Sequence, residues 1–190
     1  DFAPYLFVRT DFGSDWRPVV NGLPYSSLSA LAQHPRNPNL VFVGNEIGIY
    51  VSVDAGKQWV RLDNGLPTVP VDDIKIEPRE NDLVIGTHGR GIWIMDDITP
   101  LEELTPGAIL SEAHLFGIQP ATSYNAYTPQ GWTPGIFSAP NPPMGARIRY
   151  HLAEDTDEVS VSITDLRGQS LRELEGTGNV GLNEVIWDLR

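Results

Sequence analysis

Short runs of β-branched and aromatic residues, bounded by Gly, Pro, Asn or Asp, set the pattern of the first half of the chain. Residues 28–33, 39–43, 48–53 and 59–62 read as four consecutive short strands, named a to d in order. The series then repeats, with a at 71–77, b at 82–85 and c at 91–95, and residues 5–20 read as c and d of a preceding unit. No apolar spacing of helical period competes over residues 1–98. Alternation of apolar and polar positions returns at 146–152 and is strict at 159–163. It resumes after an Asp165–Gly168 turn at 170–174 and again before Trp187. One apolar and one polar face per strand predicts an antiparallel sandwich there.

The repetition has a fixed period. Asn21-Gly22-Leu23-Pro24 recurs as Asn64-Gly65-Leu66-Pro67, an offset of 43. Val8 and Val51, Asp11 and Asp54, Gly13 and Gly56, Trp16 and Trp59, and Pro35 and Pro78 keep the same offset. A third register pairs Leu40 with Leu83, Gly48 with Gly91, Ile49 with Ile92 and Tyr50 with Trp93. A period of this length with four strands is that of a propeller blade.

Between strands c and d stands Ser52-Val53-Asp54-Ala55-Gly56-Lys57-Gln58-Trp59, a Ser-x-Asp-x-Gly-x-x-Trp spacing. Asp in a tight turn can accept backbone N–H groups, Gly supplies positive φ, and Trp returns a large ring onto the sheet. The preceding copy keeps Asp11, Gly13 and Trp16 but has no Ser, and the third register, at Met95-Asp96-Asp97-Ile98, has lost Gly and Trp. This spacing resembles the Asp-box (BNR-type) propeller families, which include sialidases, sortilin-type receptors and xyloglucanases. The resemblance implies that the box is structural and faces away from any ligand site, so Asp11 and Asp54 are expected to specify hairpins.

Attention therefore falls on the opposite rim, which should carry the b–c loops and the two Asn-Gly-Leu-Pro linkers. The b–c loop at 44–47, with Asn45 and Glu46, becomes Gly86-Thr87-His88-Gly89-Arg90 one repeat later. His88 could act as an acid, base or ligand and Arg90 could bind an anion or carboxylate. Asp72 and Asp73, at the start of a strand a, are the nearest carboxylates in the pattern. As neighbours on a strand they should point to opposite faces and form no dyad. Neither a glycosidase carboxylate pair nor the arginine cluster a sialidase would need is evident.

From Ile98 the composition changes. Residues 99–104 predict a short helical turn with Thr99 as N-cap and Pro100 in its first position. Residues 99–143 read as an extended Pro/Gly/aromatic-rich connector, with Tyr124, Tyr127, Trp132 and Phe137 packing along a surface. Residues 144–190 resemble the immunoglobulin-like module of flagellar hook-cap proteins, in the Asp165–Gly168 turn and the Gly181-x-Asn-x-x-x-Trp-Asp ending. Only four strands are visible, so the module should be truncated or completed elsewhere.

The expected fold is thus all-β. A partial propeller of about two blades over 1–98 is followed by the connector and a partial antiparallel sandwich. The 190 residues include 18 Gly, 16 Pro, no Cys and a formal charge of −12. Without Cys there is no disulfide framework, Cys-bound zinc or thiol nucleophile. The acidity disfavours nucleic acid and anionic membrane surfaces as partners. No apolar run is long enough to span a bilayer. With Asp1 in first place and no signal peptide visible, the sequence reads as a mature product or an excised piece.

No cofactor or metal is expected. The expected function is non-catalytic binding or scaffolding of a protein or glycan, with remaining blades or another chain completing the sheets. The alternatives are the C-terminal part of a propeller glycoside hydrolase and a structural subunit of an assembly. The resemblance implies a secreted, periplasmic or cell-surface protein.

Overall fold

The structure, a computed structural model, describes residues 2–9, 15–63, 65–123 and 142–190. The protein is all-β, with antiparallel sheets and, among the described residues, two helical turns. It divides into two compact units, Asp1–Thr105 and Pro106–Arg190.

In the first unit a hairpin, β1 (Phe7–Val8) and β2 (Arg17–Pro18), precedes a four-stranded sheet. That sheet runs in chain order through β3 (Leu28–Gln33), β4 (Val41–Asn45), β5 (Gly48–Ser52) and β6 (Val60–Arg61). The next sheet has three strands, β7 (Val71–Glu77), β8 (Asp82–Thr87) and β9 (Ile92–Met95). Side chains alternate across a strand, so each sheet has two faces to cover. One face of the four-stranded sheet, with Phe42, Ile49 and Val51, packs on Val71, Ile74, Leu83 and Ile85 of the three-stranded sheet. Its other face, with Val43, Tyr50 and Trp59, meets Leu6 and Leu23.

A β-bulge recurs with the repeat. The register of β3 on β4 shifts between Leu28 and Ala30, and that of β7 on β8 between Val71 and Asp73. Ser29 and Asp72, 43 residues apart, are the extra residues at these two places. Bulges redirect a side chain at the end of a strand.

The helical turn α1 (Thr99–Glu102) closes the first unit. Pro100 sits in its first turn as expected, but Ile98 and not Thr99 is the N-cap. The Thr99 hydroxyl instead donates to Asp97 Oδ1 at 2.5 Å. A polar network, buried at His34, Asn81 and Thr99, fixes this segment. Arg36 makes a two-pronged pair with Glu102, at 3.0 and 2.8 Å, and Asn37 Nδ2 donates to the Glu102 carbonyl. His34 Nδ1 accepts the N–H groups of Arg36 and Asn37, which leaves Nε2 as the protonated nitrogen, donating to Asn81 Oδ1 at 2.8 Å. Asn81, fully buried at φ +61°, passes the chain on to Thr99 and Glu102. Residues 99–105 are therefore bound to the sheets and do not belong to a connector.

In the second unit, α2 (Pro106–Leu110) leads into β10 (Ala113–Leu115). β10 pairs antiparallel with β11 (Ala146–Leu152), which pairs with β14 (Gly181–Trp187). A hairpin of β12 (Ser160–Thr164) and β13 (Ser170–Glu175) forms a separate two-stranded sheet. Ala146, Ile148, Tyr150 and Leu152 line the buried face of β11. The Asp165–Gly168 turn forms as read, with Asp165 Oδ1 accepting the N–H groups of Arg167 and Gln169. Residues 113–115, placed in a connector by the sequence pattern, are a further strand of this unit. Tyr124, Tyr127, Trp132 and Phe137 lie outside the described residues. Among the described residues no helix is long and apolar enough to cross a membrane.

Candidate functional site

The two ends of the sheets in the first unit are built differently. At the end that carries the β5–β6 turn, polar groups are turned inward on the backbone. Ser52, 1% exposed, donates to Asp54 Oδ1 at 2.7 Å and accepts the Gly56 N–H at 2.8 Å. Asp54 Oδ1 also accepts the Gln58 N–H at 3.0 Å. Burial pushes the Asp54 carboxyl up, but these N–H and O–H donors and the nearby Lys57 charge outweigh it and leave the group below its ordinary range. Ala55, at φ +60°, and Gly56, at φ +82°, make the turn. Trp59 is 2% exposed and donates its indole N–H to the Val19 carbonyl at 2.8 Å. Ser52, Asp54, Gly56 and Trp59 are thus each engaged within the protein itself.

Trp16 differs from its repeat partner. It is 59% exposed, with the Arg9 guanidinium 4.9 Å above its ring. Trp59 has the β1–β2 hairpin against it, whereas no preceding sheet covers Trp16 among the described residues. Asp11 and Gly13 lie outside the described residues.

The first linker departs from its expected place on the opposite rim. Asn21 accepts the Trp59 N–H and donates to Gln58 Oε1 at 2.6 Å, so the linker begins against the β5–β6 turn.

The opposite ends of the sheets carry the β4–β5 and β8–β9 turns. Ser29 draws these ends together, donating to the carbonyls of Gly44 and Val71. Strand β4 continues to Asn45 and β8 to Thr87, so the turns are shorter than the sequence suggests: residues 46–47 and 88–91. Asn45 is fully buried and its Oδ1 accepts the Ile47 N–H at 2.9 Å. It is a turn former and displays nothing to solvent. Glu46 is exposed.

The longer turn is closed at its base by Thr87, whose N–H and hydroxyl both donate to the Gly91 carbonyl. Gly89 and Gly91, at φ +79° and +72°, let the chain reverse there. His88 is anchored through its N–H to the Pro70 carbonyl, and its Nδ1 lies 3.2 Å from Asp72 Oδ2. Both side chains are open to water, 79% and 57% exposed. Asp73 turns elsewhere, accepting the Ile74 N–H and facing Lys75 Nζ at 3.4 Å. The bulge separates the two carboxylates and gives His88 one partner. Arg90 is exposed, and its carbonyl accepts the Trp93 indole N–H at 3.1 Å.

This rim thus presents an imidazole–carboxylate pair, a guanidinium and a further carboxylate on short, hydrogen-bonded turns. Such a set can exchange hydrogen bonds and charge with a polar ligand. Sequence spacing located His88, Arg90, Glu46 and Asp72 on this rim but could not show which aspartate meets His88. It missed the His34–Asn81–Glu102 network, whose one sequence signal is the repeated proline beside it, Pro35 and Pro78. Comparison with family models, with curated proteins and with solved structures returned no match.

Proposed function

We propose that the protein is a non-catalytic binding or scaffolding segment of an exported Asp-box propeller protein. In this reading His88, Asp72, Arg90 and Glu46 meet a protein or glycan ligand. The observation that carries the reading is the contrast between the two sheet ends. One turns its polar groups inward on its own backbone, and the other displays a charged set to water. Exposed polar side chains on short rigid turns of a sheet scaffold are suited to recognition. The 43-residue repetition and the stacked antiparallel sheets support the propeller part. Strand β9 has no fourth strand beside it among the described residues, where β6 stands one repeat earlier. Further blades or another chain would complete that edge.

The test is a glycan array, followed by titration of each hit and of any copurifying protein against the intact protein. The His88→Ala/Arg90→Ala/Asp72→Asn variant should bind at least tenfold more weakly at unchanged stability. Equal binding by the triple variant would sink this assignment of the rim.

One contact favours a second reading, a segment of a glycoside hydrolase. A carboxylate orienting an imidazole is an arrangement that general base catalysis uses. Glycoside turnover that falls about 100-fold in His88→Ala would favour that reading over simple binding.

A further inference from the structure

Among the described residues four buried side-chain polar atoms have no hydrogen-bond partner: Ser26 Oγ, Asn45 Nδ2, His114 Nε2 and His151 Nδ1. Two of the four belong to one cross-strand pair. His114 on β10 is the register partner of His151 on β11, so the two imidazoles leave the sheet on the same face. Opposed residues in an antiparallel pair have Cβ atoms about 4.5–5.5 Å apart, close enough for two imidazoles to reach one ion. A buried nitrogen without a donor or acceptor needs a reason, and an ion or a water is the usual one. Phe116, 2% exposed, sets its ring edge-on to that of His114, with centroids 4.9 Å apart, and limits the rotation of that ring.

The same face carries Arg147 and Arg149, two cations that would repel a third. Both are paired with the single carboxylate of Glu184, Arg147 at 3.0 Å and Arg149 at 2.7 Å, which offsets one of the two charges. The net charge of −12 attracts cations to the protein as a whole.

We propose that His114 Nε2 and His151 Nδ1 are the protein ligands of a divalent transition-metal site, of the kind that takes Zn²⁺ or Cu²⁺. Imidazole nitrogen suits these ions. No group of three or more His, Asp or Glu that could hold a metal is assembled among the described residues. Two imidazoles therefore supply the protein ligands, and water fills the remaining positions. An ion held this way keeps exchangeable positions, the property that separates an open site from a closed structural one. The site lies in the second unit and does not depend on the proposed rim of the first.

The experiment uses the intact chain. Nitrogen-15 NMR of the histidine rings during Zn²⁺ addition should move the resonances of His114 and His151 together, saturating at one ion per chain. Electron paramagnetic resonance with Cu²⁺ should show coupling to two nitrogens. His114→Asn and His151→Asn should each leave one coupled nitrogen and weaken binding at least tenfold, while His88→Ala changes neither. The NMR titration needs no variant, so it decides the matter even where a substitution unfolds the unit. Ring resonances of His114 and His151 that stay at their metal-free positions in millimolar Zn²⁺ would make a bridging water the occupant and overturn the proposal. A two-nitrogen Cu²⁺ signal that survives the double variant would overturn it as well.

Discussion

Ser29 and Asp72 occupy the same β-bulge one repeat apart, Ser29 turned onto the carbonyls of Gly44 and Val71 and Asp72 turned outward to His88. The first holds neighbouring strands together, and the second makes a side-chain pair whose members are both open to water. Exposed pairs contribute about 0–1 kcal/mol. Urea denaturation should therefore find His88→Ala and Asp72→Asn within about 0.5 kcal/mol of the parent. Ser29→Ala leaves two carbonyls without that donor and should cost about 1–2 kcal/mol.

The two linker glycines separate backbone strain from collision. Gly22 and Gly65 are one repeat apart, at φ +91° and +75°. A Cβ at Gly22 would strike the Trp59 carbonyl, whereas at Gly65 nothing lies within 4 Å. Gly65→Ala should cost about 1–2 kcal/mol, the price of a left-handed alanine. Gly22→Ala adds overpacking of about 1–3 kcal/mol to the same strain. Similar midpoints for the two variants in thermal or urea melts would contradict this placement of the first linker.

Trp59 and Trp16 should respond unequally to truncation. Removing the buried Trp59 ring empties its site and leaves the Val19 carbonyl without its donor, so Trp59→Ala should cost about 3–5 kcal/mol. Trp59→Phe keeps most of the ring but not the N–H, and about 1–3 kcal/mol is expected. Trp16→Ala, at an exposed position, should fall within about 0.5 kcal/mol of the parent. Tryptophan fluorescence during unfolding reads the same difference, since the Trp59 emission should shift most.

Acid should loosen the α1 segment. The hydrogen bond from Arg36 is the main reason that the Glu102 carboxyl sits below its ordinary range, and burial opposes it. Folded Glu102 thus binds a proton more weakly than unfolded Glu102. Its contribution is complete above the unfolded value of about 4.3 and is lost as pH falls through the lower folded value. Hydrogen exchange at the amides of Leu101, Glu102 and Glu103, which close α1, should accelerate over that window. Glu102→Gln should flatten the acid dependence and cost about 1–3 kcal/mol at neutral pH. An unchanged acid profile in this variant would refute the assignment.

Asp82 should show the opposite sign. Burial is the main cause that pushes its carboxyl up, with the Asp97 N–H pulling down and Asp96, Glu77 and Glu80 pushing up. Folded Asp82 holds a proton more firmly than unfolded Asp82, so its charge opposes folding at neutral pH. That cost is relieved as pH falls through the raised folded value. Asp82→Asn keeps an oxygen for the Asp97 N–H, 2.8 Å away, and removes the charge. Its stability at pH 7 should equal the parent's or exceed it by up to about 1 kcal/mol, with the gain vanishing in acid.

The sequence by itself determined the strands of the first unit, their period and the residues of the Ser52–Trp59 turn. These follow from short-range causes: β-branched runs favour extended chain, and Asp and Gly at fixed offsets favour one turn. It also located His88 and Arg90 on a glycine-rich turn. The tertiary structure decided which of two tryptophans is buried, because burial depends on a neighbouring sheet and not on the residue. It decided that Asp72 and not Asp73 meets His88, because a bulge breaks the alternation that strand geometry otherwise imposes. It hid Asn45, bound residues 99–105 to the first unit through Arg36, His34 and Asn81, and gave residues 113–115 to a sheet. His114 and His151, 37 residues apart, became opposite partners only when β10 took its register on β11. Pairing between distant strands is set by the whole sheet, and no local run of residues encodes it.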